Sequence, residues 1–477
     1  MKYETVIGLE VHLQLATKTK AFCGCSTKFG QGPNSQTCPV CLGFPGSLPV
    51  LNEEAFKAAL KVALALNCKI QDLIKFDRKN YYYPDLPKNF QISQYDMPLS
   101  YDGFLDIDLG DGAKKRIRIK RVHMEEDAGK LMHPEGERYS LVDYNRSGMP
   151  LLEIVTEPDM NSPQEAYDYL TKLKSILEYL KVSDCDMEKG SLRCDANISI
   201  RPQGEKKLGT KVELKNMNSF KNVRSGLEYE VKRQESLVSE RGRIVQETRL
   251  WDADKLITTS MRVKEEAEDY RYFPEPDLVP FVVDKDQIEK IREDLPELPE
   301  AKSERFKKEF KLPDYDVGVL TSQLDLADYY EECVKLYPNA KIVANWLTGD
   351  VTAAANEKNK KISELALMPG DFVVLLKMMD DGTISGKMAK QVLTEAIETK
   401  TSPKEIIEKK GLSQISDCRQ IEEVIKLILR KEEKSVSDYR AGKKNVFTFL
   451  VGQVMKETKG KANPAMVNEI LKKSLGE

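Results

Sequence analysis

The chain has 477 residues, a length that predicts about three domains. Of these residues 40% are hydrophobic and 32% are charged, a composition typical of a globular protein. No apolar run approaches the roughly 20 residues that span a bilayer, and the N-terminus opens on a strand pattern rather than a signal peptide, so we expect a cytoplasmic protein. The formal net charge of −3 excludes a global basic field, so any nucleic-acid binding must depend on a local patch.

The first predicted element is a half-buried strand over residues 5–15 (TVIGLEVHLQL). Apolar and polar residues alternate in it, which places Glu10 and His12 on the same polar face, two residues apart. A carboxylate beside an imidazole on a rigid strand suits a divalent metal ion. The alternative is an ordinary strand whose polar side faces solvent, but the same pattern returns later in the chain and favours the metal.

Four of the nine cysteines are clustered as Cys23 and Cys25, then, after twelve residues, Cys38 and Cys41. The intervening loop of Gly, Pro, Ser and Asn cannot build an apolar core, and four thiolates around Zn²⁺ would supply the missing closure energy. Four cysteine ligands leave no open coordination position, so the predicted zinc is structural. Unligated cysteines or a redox pair are the alternatives.

Two amphipathic helices are predicted, over residues 53–66 and 163–180, because apolar residues recur there at helical spacing. Residues 77–93 are dense in Tyr, Pro, Asn and Lys and are predicted to form a structured loop. Lys79 in this loop either faces a ligand or belongs to a packed aromatic cluster.

Further alternating strands are predicted over residues 116–125, 152–158, 195–200 and 211–216. Strands with one apolar and one polar face indicate a largely antiparallel sheet, with helices on the apolar side and an open polar basin on the other. The predicted fold class is therefore α+β. The candidate metal and phosphate-handling residues of the basin are Glu10, His12, Glu125, Glu153, Asp195 and Glu213.

From residue 284 onward the chain changes character. Residues 284–311 are rich in Asp, Glu, Lys and Pro and indicate a linker or a solvated first helix, and helical spacing follows almost to the end. We expect a cradle domain over residues 1–292, a helical domain over 293–403 and a tail domain over 404–477.

The tail carries a local excess of positive charge. Its last 77 residues contain 16 Lys or Arg and 11 Asp or Glu, a balance of 16 − 11 = +5. Lysines suited to phosphate-backbone contacts are Lys443, Lys444, Lys456, Lys459, Lys461, Lys472 and Lys473. The alternative is an ordinary solvated helical face.

The basin residues suit nucleotide chemistry. Mg²⁺ is usually held by a few carboxylates together with substrate phosphates, a description that Glu10, Glu125 and Glu153 fit, with His12 completing the shell. Arg193 and Lys215 could neutralise charge on a transferring phosphoryl group. No phosphate-binding loop of the G-x4-G-K-[ST] type occurs. An ATP-dependent enzyme is one interpretation; a metal hydrolase and a passive nucleic-acid-binding scaffold are the others.

Long sequence blocks then resemble the family of B subunits of the aspartyl/glutamyl-tRNA amidotransferases. The matching blocks are residues 4–12 (ETVIGLEVH), 76–81 (FDRKNY), 123–130 (HMEEDAGK), 190–197 (GSLRCDAN), 213–216 (ELKN) and 269–276 (DYRYFPEP). The stretch 452–464 looks like the family's C-terminal tRNA-binding domain.

This resemblance implies an activity. Members of the family use ATP to phosphorylate the side-chain carboxylate of Glu or Asp mis-attached to tRNA(Gln) or tRNA(Asn), and ammonia then displaces the phosphate. The ammonia comes from glutamine hydrolysed by a separate amidase subunit (A), and a small third subunit (C) completes a heterotrimer. The cradle resembles the glutamine synthetase fold. No amidase signature is recognisable in this chain, so a self-contained amidase is the less favoured hypothesis.

The implied cofactors are ATP, Mg²⁺ and Zn²⁺, with no membrane partner. Residues carried over as Mg²⁺ ligands are Glu10, His12, Glu125 and Glu153, and the zinc ligands are Cys23, Cys25, Cys38 and Cys41. Candidates for contact with the nucleotide or the acyl phosphate are Glu126, Arg193, Asp195, Glu213 and Lys215, and Lys79 joins Arg193 and Lys215 as a candidate for binding the cofactor.

Overall fold

The computed structural model of the chain describes residues 2–110, 112–263, 270–412, 418–458 and 462–476. It divides into two compact units, Met1–Pro299 and Glu300–Glu477. The first unit contains strands and helices, and the described part of the second is helical. The α+β class is therefore confirmed, whereas the finer division at residues 292 and 403 stays a prediction.

Over its described residues the first unit combines strands with four α-helices. Its strands are β1 (Tyr3–Gln14), β2 (Lys69–Ile70), β3 (Leu73–Ile74), β4 (Asp77–Asn80), β5 (Phe90–Ser93), β6 (Ser100–Gly110), β7 (Ala113–Glu126), β8 (Lys130–Met132), β9 (Leu141–Asp143), β10 (Pro150–Thr156), β11 (Leu192–Pro202), β12 (Val212–Lys215), β13 (Glu247–Asp252), β14 (Ile257–Val263), β15 (Phe273–Pro274) and β16 (Phe281–Val282). Its helices are α1 (Glu53–Ala65), α2 (Pro163–Tyr179), α3 (Phe220–Ser239) and α4 (Lys285–Glu293).

The second unit begins with α5 (Pro299–Phe310), which starts at the boundary. Its other helices are α6 (Asp314–Leu320), α7 (Leu324–Leu336), α8 (Ala340–Trp346), α9 (Thr352–Glu357), α10 (Pro369–Asp380), α11 (Gly386–Thr399), α12 (Pro403–Lys410), α13 (Cys418–Lys431), α14 (Glu433–Arg440), α15 (Val446–Glu457) and α16 (Pro464–Leu475). A π-helical turn, Leu347–Val351, joins α8 to α9. None of the described helices has the length and apolarity needed to cross a membrane.

A nine-stranded sheet dominates the first unit, in the order β14-β13-β12-β11-β1-β10-β7-β6-β2. Within it β12 and β13 run parallel, and the other neighbouring strands are antiparallel, as the sequence predicts. β1 is the central strand and forms hydrogen-bonded ladders with β11 and β10.

The core lies on the apolar face of this sheet. Leu9, Val11 and Leu13 on β1 are at most 1% exposed and belong to one apolar cluster with side chains of α1, α2 and α3. Burial of each such side chain contributes about 1.5–3 kcal/mol relative to leaving it in water. α2 starts where Ser162 caps the backbone N–H of Glu165 at 3.1 Å. The predicted helices over residues 53–66 and 163–180 are thus confirmed.

Two regions refine the sequence-based prediction. Residues 77–93 contain the antiparallel strands β4 and β5 rather than a loop throughout, because Asp77, Ile92 and Ser93 are buried in the ladder. Residues 285–293 and 299–310 are helices, as the alternative of a solvated first helix predicts, and the boundary between the two compact units lies between residues 299 and 300 of the same segment, so the linker alternative is not contradicted.

Candidate active site

A row of polar side chains crosses the face of the sheet opposite the core. His12 on β1 lies opposite Arg193 on β11 and Glu153 on β10, and Glu153 lies opposite His123 on β7. Side chains of directly paired residues project from the same face. The predicted polar basin therefore begins as one continuous row over four strands.

Three of the predicted metal ligands converge in this basin. His12, Glu125 and Glu153 each offer a ligand atom, and these atoms all lie within 4.8 Å of one another. His12 Nε2 is 3.9 Å from Glu125 Oε1 and 4.0 Å from Glu153 Oε2. Mg²⁺ holds its ligands at about 2.1 Å, so two of its ligand atoms are at most about 4.2 Å apart. An imidazole and two carboxylates at these distances suit a divalent cation.

His123 lies behind this group and was not singled out from the sequence. Its Nε2 is 3.0 Å from Glu153 Oε2 and 3.9 Å from Glu125 Oε2, and the residue is only 2% exposed. The alternation of side chains along a strand could have identified it, because His123 lies two residues before Glu125 on β7 and therefore shares its face. Burial raises the pKa of Glu153, but His123, His12 and Lys79 outweigh it and hold that pKa well below the ordinary value.

Glu10, the fourth predicted metal ligand, lies one row further along β1, opposite Asp195 and Val155. Its Oε1 accepts a hydrogen bond from Asn197 Nδ2 at 2.8 Å. It is not part of the group formed by His12, Glu125 and Glu153. Its role as a metal ligand stays a prediction.

A second charged cluster surrounds Lys215 on β12. Its ammonium forms an ion pair with Asp195 and lies 3.6 Å from Glu213 Oε1, and Glu213 also accepts a hydrogen bond from Thr248 Oγ1 at 2.8 Å. Burial lowers the pKa of Lys215, but Asp195 and Glu213 outweigh it and raise the pKa overall. The structure thus brings three of the predicted nucleotide-contact residues into one cluster.

Arg193 is held by a carboxylate that the sequence analysis missed. Its Nη2 donates to Asp127 Oδ1 at 3.0 Å, and Gln14 Nε2 donates to the other oxygen at 2.7 Å. Burial raises the pKa of Asp127, but Arg193 and Arg146 outweigh it and lower the pKa overall. Asp127 therefore fixes a guanidinium at the end of the polar row.

Glu126, in contrast, does not lie on the face of the sheet that carries Glu125. It is the next residue along β7, and successive side chains of a strand point to opposite faces. Glu126 forms an ion pair with Lys88, and its Oε1 accepts from the backbone N–H of Ile92 at 3.0 Å. Its proposed contact with nucleotide stays a prediction.

Lys79 on β4 lies in the packed aromatic cluster that is one of the two alternatives left open by the sequence, and its contact with a ligand stays a prediction. Its ammonium lies 5.8 Å from the ring centre of Tyr81 and 5.1 Å from that of Tyr270, within cation–π range. Burial lowers the pKa of Lys79, but Glu125 and Glu153 outweigh it and raise the pKa overall. The cation is therefore packed among aromatic rings, and the charges of the two carboxylates stabilise it.

The four clustered cysteines also come together. One sulfur from each of Cys23, Cys25, Cys38 and Cys41 lies within 4.8 Å of the others. A tetrahedral Zn²⁺ with Zn–S bonds of about 2.3 Å places its sulfurs about 3.8 Å apart. A hydrogen bond with Cys23 lowers the pKa of Cys41 to about 4, and Lys20 acts in the same direction. The donor set fits a structural zinc.

Lys20 is a fully buried cation beside this cluster. Its Nζ lies 3.7 Å from Cys41 Sγ and 3.3 Å from the carbonyl oxygen of Tyr144, and its exposure is 0%. Within the described chain no carboxylate forms an ion pair with it. A buried ammonium needs an anionic partner, and thiolates are the anions at hand. Lys20 therefore favours deprotonated, metal-binding cysteines.

The tail lysines lie on described helices or their connections, except Lys459 and Lys461, which fall outside the described residues, as does Asp269 of the 269–276 block. Lys443 pairs with Asp438 at 3.0 Å and Lys473 with Glu469 at 2.7 Å. Contact with tRNA stays a prediction.

Comparison with known proteins covers nearly the whole chain. Residues 5–289 match the family described as GatB/GatE catalytic domain, and residues 328–475 match the GatB domain. Proteins of Caldanaerobacter subterraneus subsp. tengcongensis and Thermoanaerobacter sp. (strain X514) are each 56% identical over 477 residues, and a protein of Geobacter sp. (strain M21) is 54% identical over 478, with 100% of both chains covered in each case. All three are named as the B subunit of an aspartyl/glutamyl-tRNA(Asn/Gln) amidotransferase. This chain belongs to the GatB family of amidotransferase B subunits.

Proposed function

We propose that the chain is the ATP-using subunit of a glutamine-dependent aminoacyl-tRNA amidotransferase, a ligase of protein biosynthesis in the cytoplasm. Its substrates are Glu-tRNA(Gln) or Asp-tRNA(Asn), ATP and ammonia, and its products are Gln-tRNA(Gln) or Asn-tRNA(Asn), ADP and phosphate. The observation that carries the proposal is the convergence of His12, Glu125 and Glu153 on one face of a rigid sheet.

The reaction has two steps. An oxygen of the substrate's side-chain carboxylate attacks the γ-phosphorus of ATP, the bond to ADP breaks, and an acyl phosphate forms. Ammonia then attacks the acyl carbon, phosphate leaves with the bonding electrons, and the amide remains after loss of a proton. A carboxylate alone is a poor electrophile, so phosphorylation supplies the leaving group. Because acyl phosphates hydrolyse readily, the site must exclude water.

The basin offers groups for each charge in this reaction. Mg²⁺, held by His12, Glu125 and Glu153, would neutralise charge on the phosphate oxygens. Arg193, fixed by Asp127, and Lys79, whose charge interacts with the two carboxylates, would bind phosphoryl oxygens. A cleft of about 260 Å³ lies beside Glu10 and Asn197, and we propose that part of the nucleotide enters it.

Ammonia is proposed to come from a separate amidase subunit, and a small third subunit completes the assembly. The four clustered cysteines fit the structural zinc site rather than a nucleophile. The tail is proposed to hold the tRNA. In this proposal the first unit catalyses the phosphorylation and amidation, and the basic tail binds the tRNA that carries the substrate.

The test is ATP hydrolysis by the chain assembled with its partner subunits. We expect release of phosphate that requires both Mg²⁺ and Glu-tRNA(Gln) or Asp-tRNA(Asn), and its loss in Glu125→Gln. If neither mischarged tRNA stimulates phosphate release, the proposal is wrong. If Glu125→Gln retains amidation while loss of the tail lysines abolishes it, the chain is instead a tRNA-binding scaffold.

A further inference from the structure

Two imidazoles flank Glu153 at different distances. Glu153 on β10 has His12 as its register partner on one side and His123 on the other. His12 Nε2 is 4.0 Å from Glu153 Oε2, whereas His123 Nε2 is 3.0 Å from the same oxygen. The first distance leaves room for an ion between the two atoms, and the second is that of a direct hydrogen bond.

The ring that lies closer to Glu153, that of His123, is also the more deeply buried of the two. The His12 side chain is 21% exposed and faces the open basin, whereas the His123 side chain is 2% exposed. His123 does not belong to the group whose ligand atoms lie within 4.8 Å of one another. Because its Nε2 is already hydrogen-bonded to a metal-binding carboxylate, the ring orients that carboxylate and does not itself bind the ion.

The position of the ring proton follows from the other nitrogen. His123 Nδ1 is buried and has no hydrogen-bond partner among the described residues. A buried N–H without an acceptor is costly, so the ring donates through Nε2, where Glu153 accepts the hydrogen bond. The same N–H lies 3.9 Å from Glu125 Oε2 and thus stands close to both carboxylates.

We propose that His123 is a positioning residue that orients Glu153, and keeps it close to Glu125, for binding of the divalent cation. This inference rests on the proposed function, since it takes His12, Glu125 and Glu153 as the metal ligands. Two buried carboxylates repel each other, and a donor fixed at 3.0 Å holds one of them in a single orientation before the ion arrives. Loss of such a support costs about 10- to 100-fold in metal affinity.

The test measures metal binding directly, with Mn²⁺ as the probe and electron paramagnetic resonance of free Mn²⁺ as the readout, on the full chain. In His123→Gln the amide Nε2 replaces the donor, and in His123→Leu the donor is lost at similar volume. We expect Mn²⁺ binding 10- to 100-fold weaker in His123→Leu and within about threefold of wild type in His123→Gln. The surface variant His133→Leu is the matched control and should bind as wild type does.

Turnover separates positioning from a merely structural role. With partner subunits and mischarged tRNA, His123→Leu should need more Mg²⁺ for half-maximal phosphate release but approach the wild-type rate at saturating Mg²⁺. Equal Mn²⁺ affinity in wild type and His123→Leu overturns the inference, as does equal weakness of the Gln and Leu variants. If His123→Leu fails to fold, His123→Asn, whose shorter amide does not reach Glu153, takes its place with the same expectations. Wild type that binds no Mn²⁺ overturns the metal site of the proposed function itself.

Discussion

Replacement of Lys20 by Met should weaken zinc binding by the cysteine cluster. Methionine keeps the length of the side chain and removes its charge. The ammonium lies 3.7 Å from Cys41 Sγ, and two unit charges at that separation attract by roughly 4–5 kcal/mol at an effective dielectric constant of about 20. The cost of burying the ammonium offsets part of this attraction. We expect a net loss of about 1.4–2.8 kcal/mol, or roughly 10- to 100-fold in zinc affinity.

The assay is competition for zinc with a chromophoric chelator, followed by absorbance at constant pH. Lys57→Met provides the matched control, because Lys57 lies on the surface of α1 and pairs with the exposed Glu53. Zinc should transfer to the chelator at lower chelator concentration from Lys20→Met than from Lys57→Met or wild type. Identical transfer curves for all three proteins would refute the electrostatic argument, and a wild-type chain that holds no zinc would refute the zinc site.

Two further predictions concern stability. Burial raises the pKa of Glu331, but its bonds with Lys302 and a neighbouring arginine outweigh this and lower the pKa overall. The contribution of Glu331 to the free energy of unfolding is therefore present above about pH 4.3, the ordinary glutamate value. It is lost as the pH falls through the lower pKa of the folded state. Glu331→Gln should therefore cost about 1 kcal/mol at pH 7, after allowance for solvent screening, and flatten the stability profile measured by urea unfolding between about pH 5 and pH 3; an unchanged profile would contradict this. Gly103→Ala would place a Cβ 2.3 Å from Cys68 Sγ and should lower the unfolding free energy by about 1–3 kcal/mol. In the control Gly318→Ala the new Cβ has no atom within 4 Å, and the protein should not be destabilised. Equal melting temperatures of the two variants would show that the close approach at Gly103 does not matter.

Strand periodicity predicted which side chains share a face, but not how far apart they lie. Glu10 and His12 do point to the same side of β1. Residues two apart on a strand are nearly 7 Å apart along it, however, and Glu10 lies one row away, beside Asn197. The contacts of His12 come instead from β10 and β7, its row across the sheet. Strand order is set by long-range packing, which alternation in a single segment does not encode.

The same reasoning accounts for Glu126 and His123. The run His123-Met124-Glu125-Glu126 contains two acids, and parity alone separates them, because Glu125 faces the basin with His123 while Glu126 pairs with Lys88. The resemblance to the family covered the whole block 123–130 and did not indicate which of its side chains face the basin. The cysteine spacing was more informative, since four ligands on one short loop have few ways to converge.

The central position of β1 has a consequence for how the molecule opens. Successive amides of β1 point alternately toward β11 and, over residues 10–14, toward β10, so each proton is protected by one ladder. The strand as a whole exchanges its protons with deuterated solvent only when the ladders on both flanks have broken. The outer strands β2 and β14 each have one such flank in the sheet. Under heat or mild denaturant the sheet should fray from its margins inward, and the geometry around His12 should outlast them.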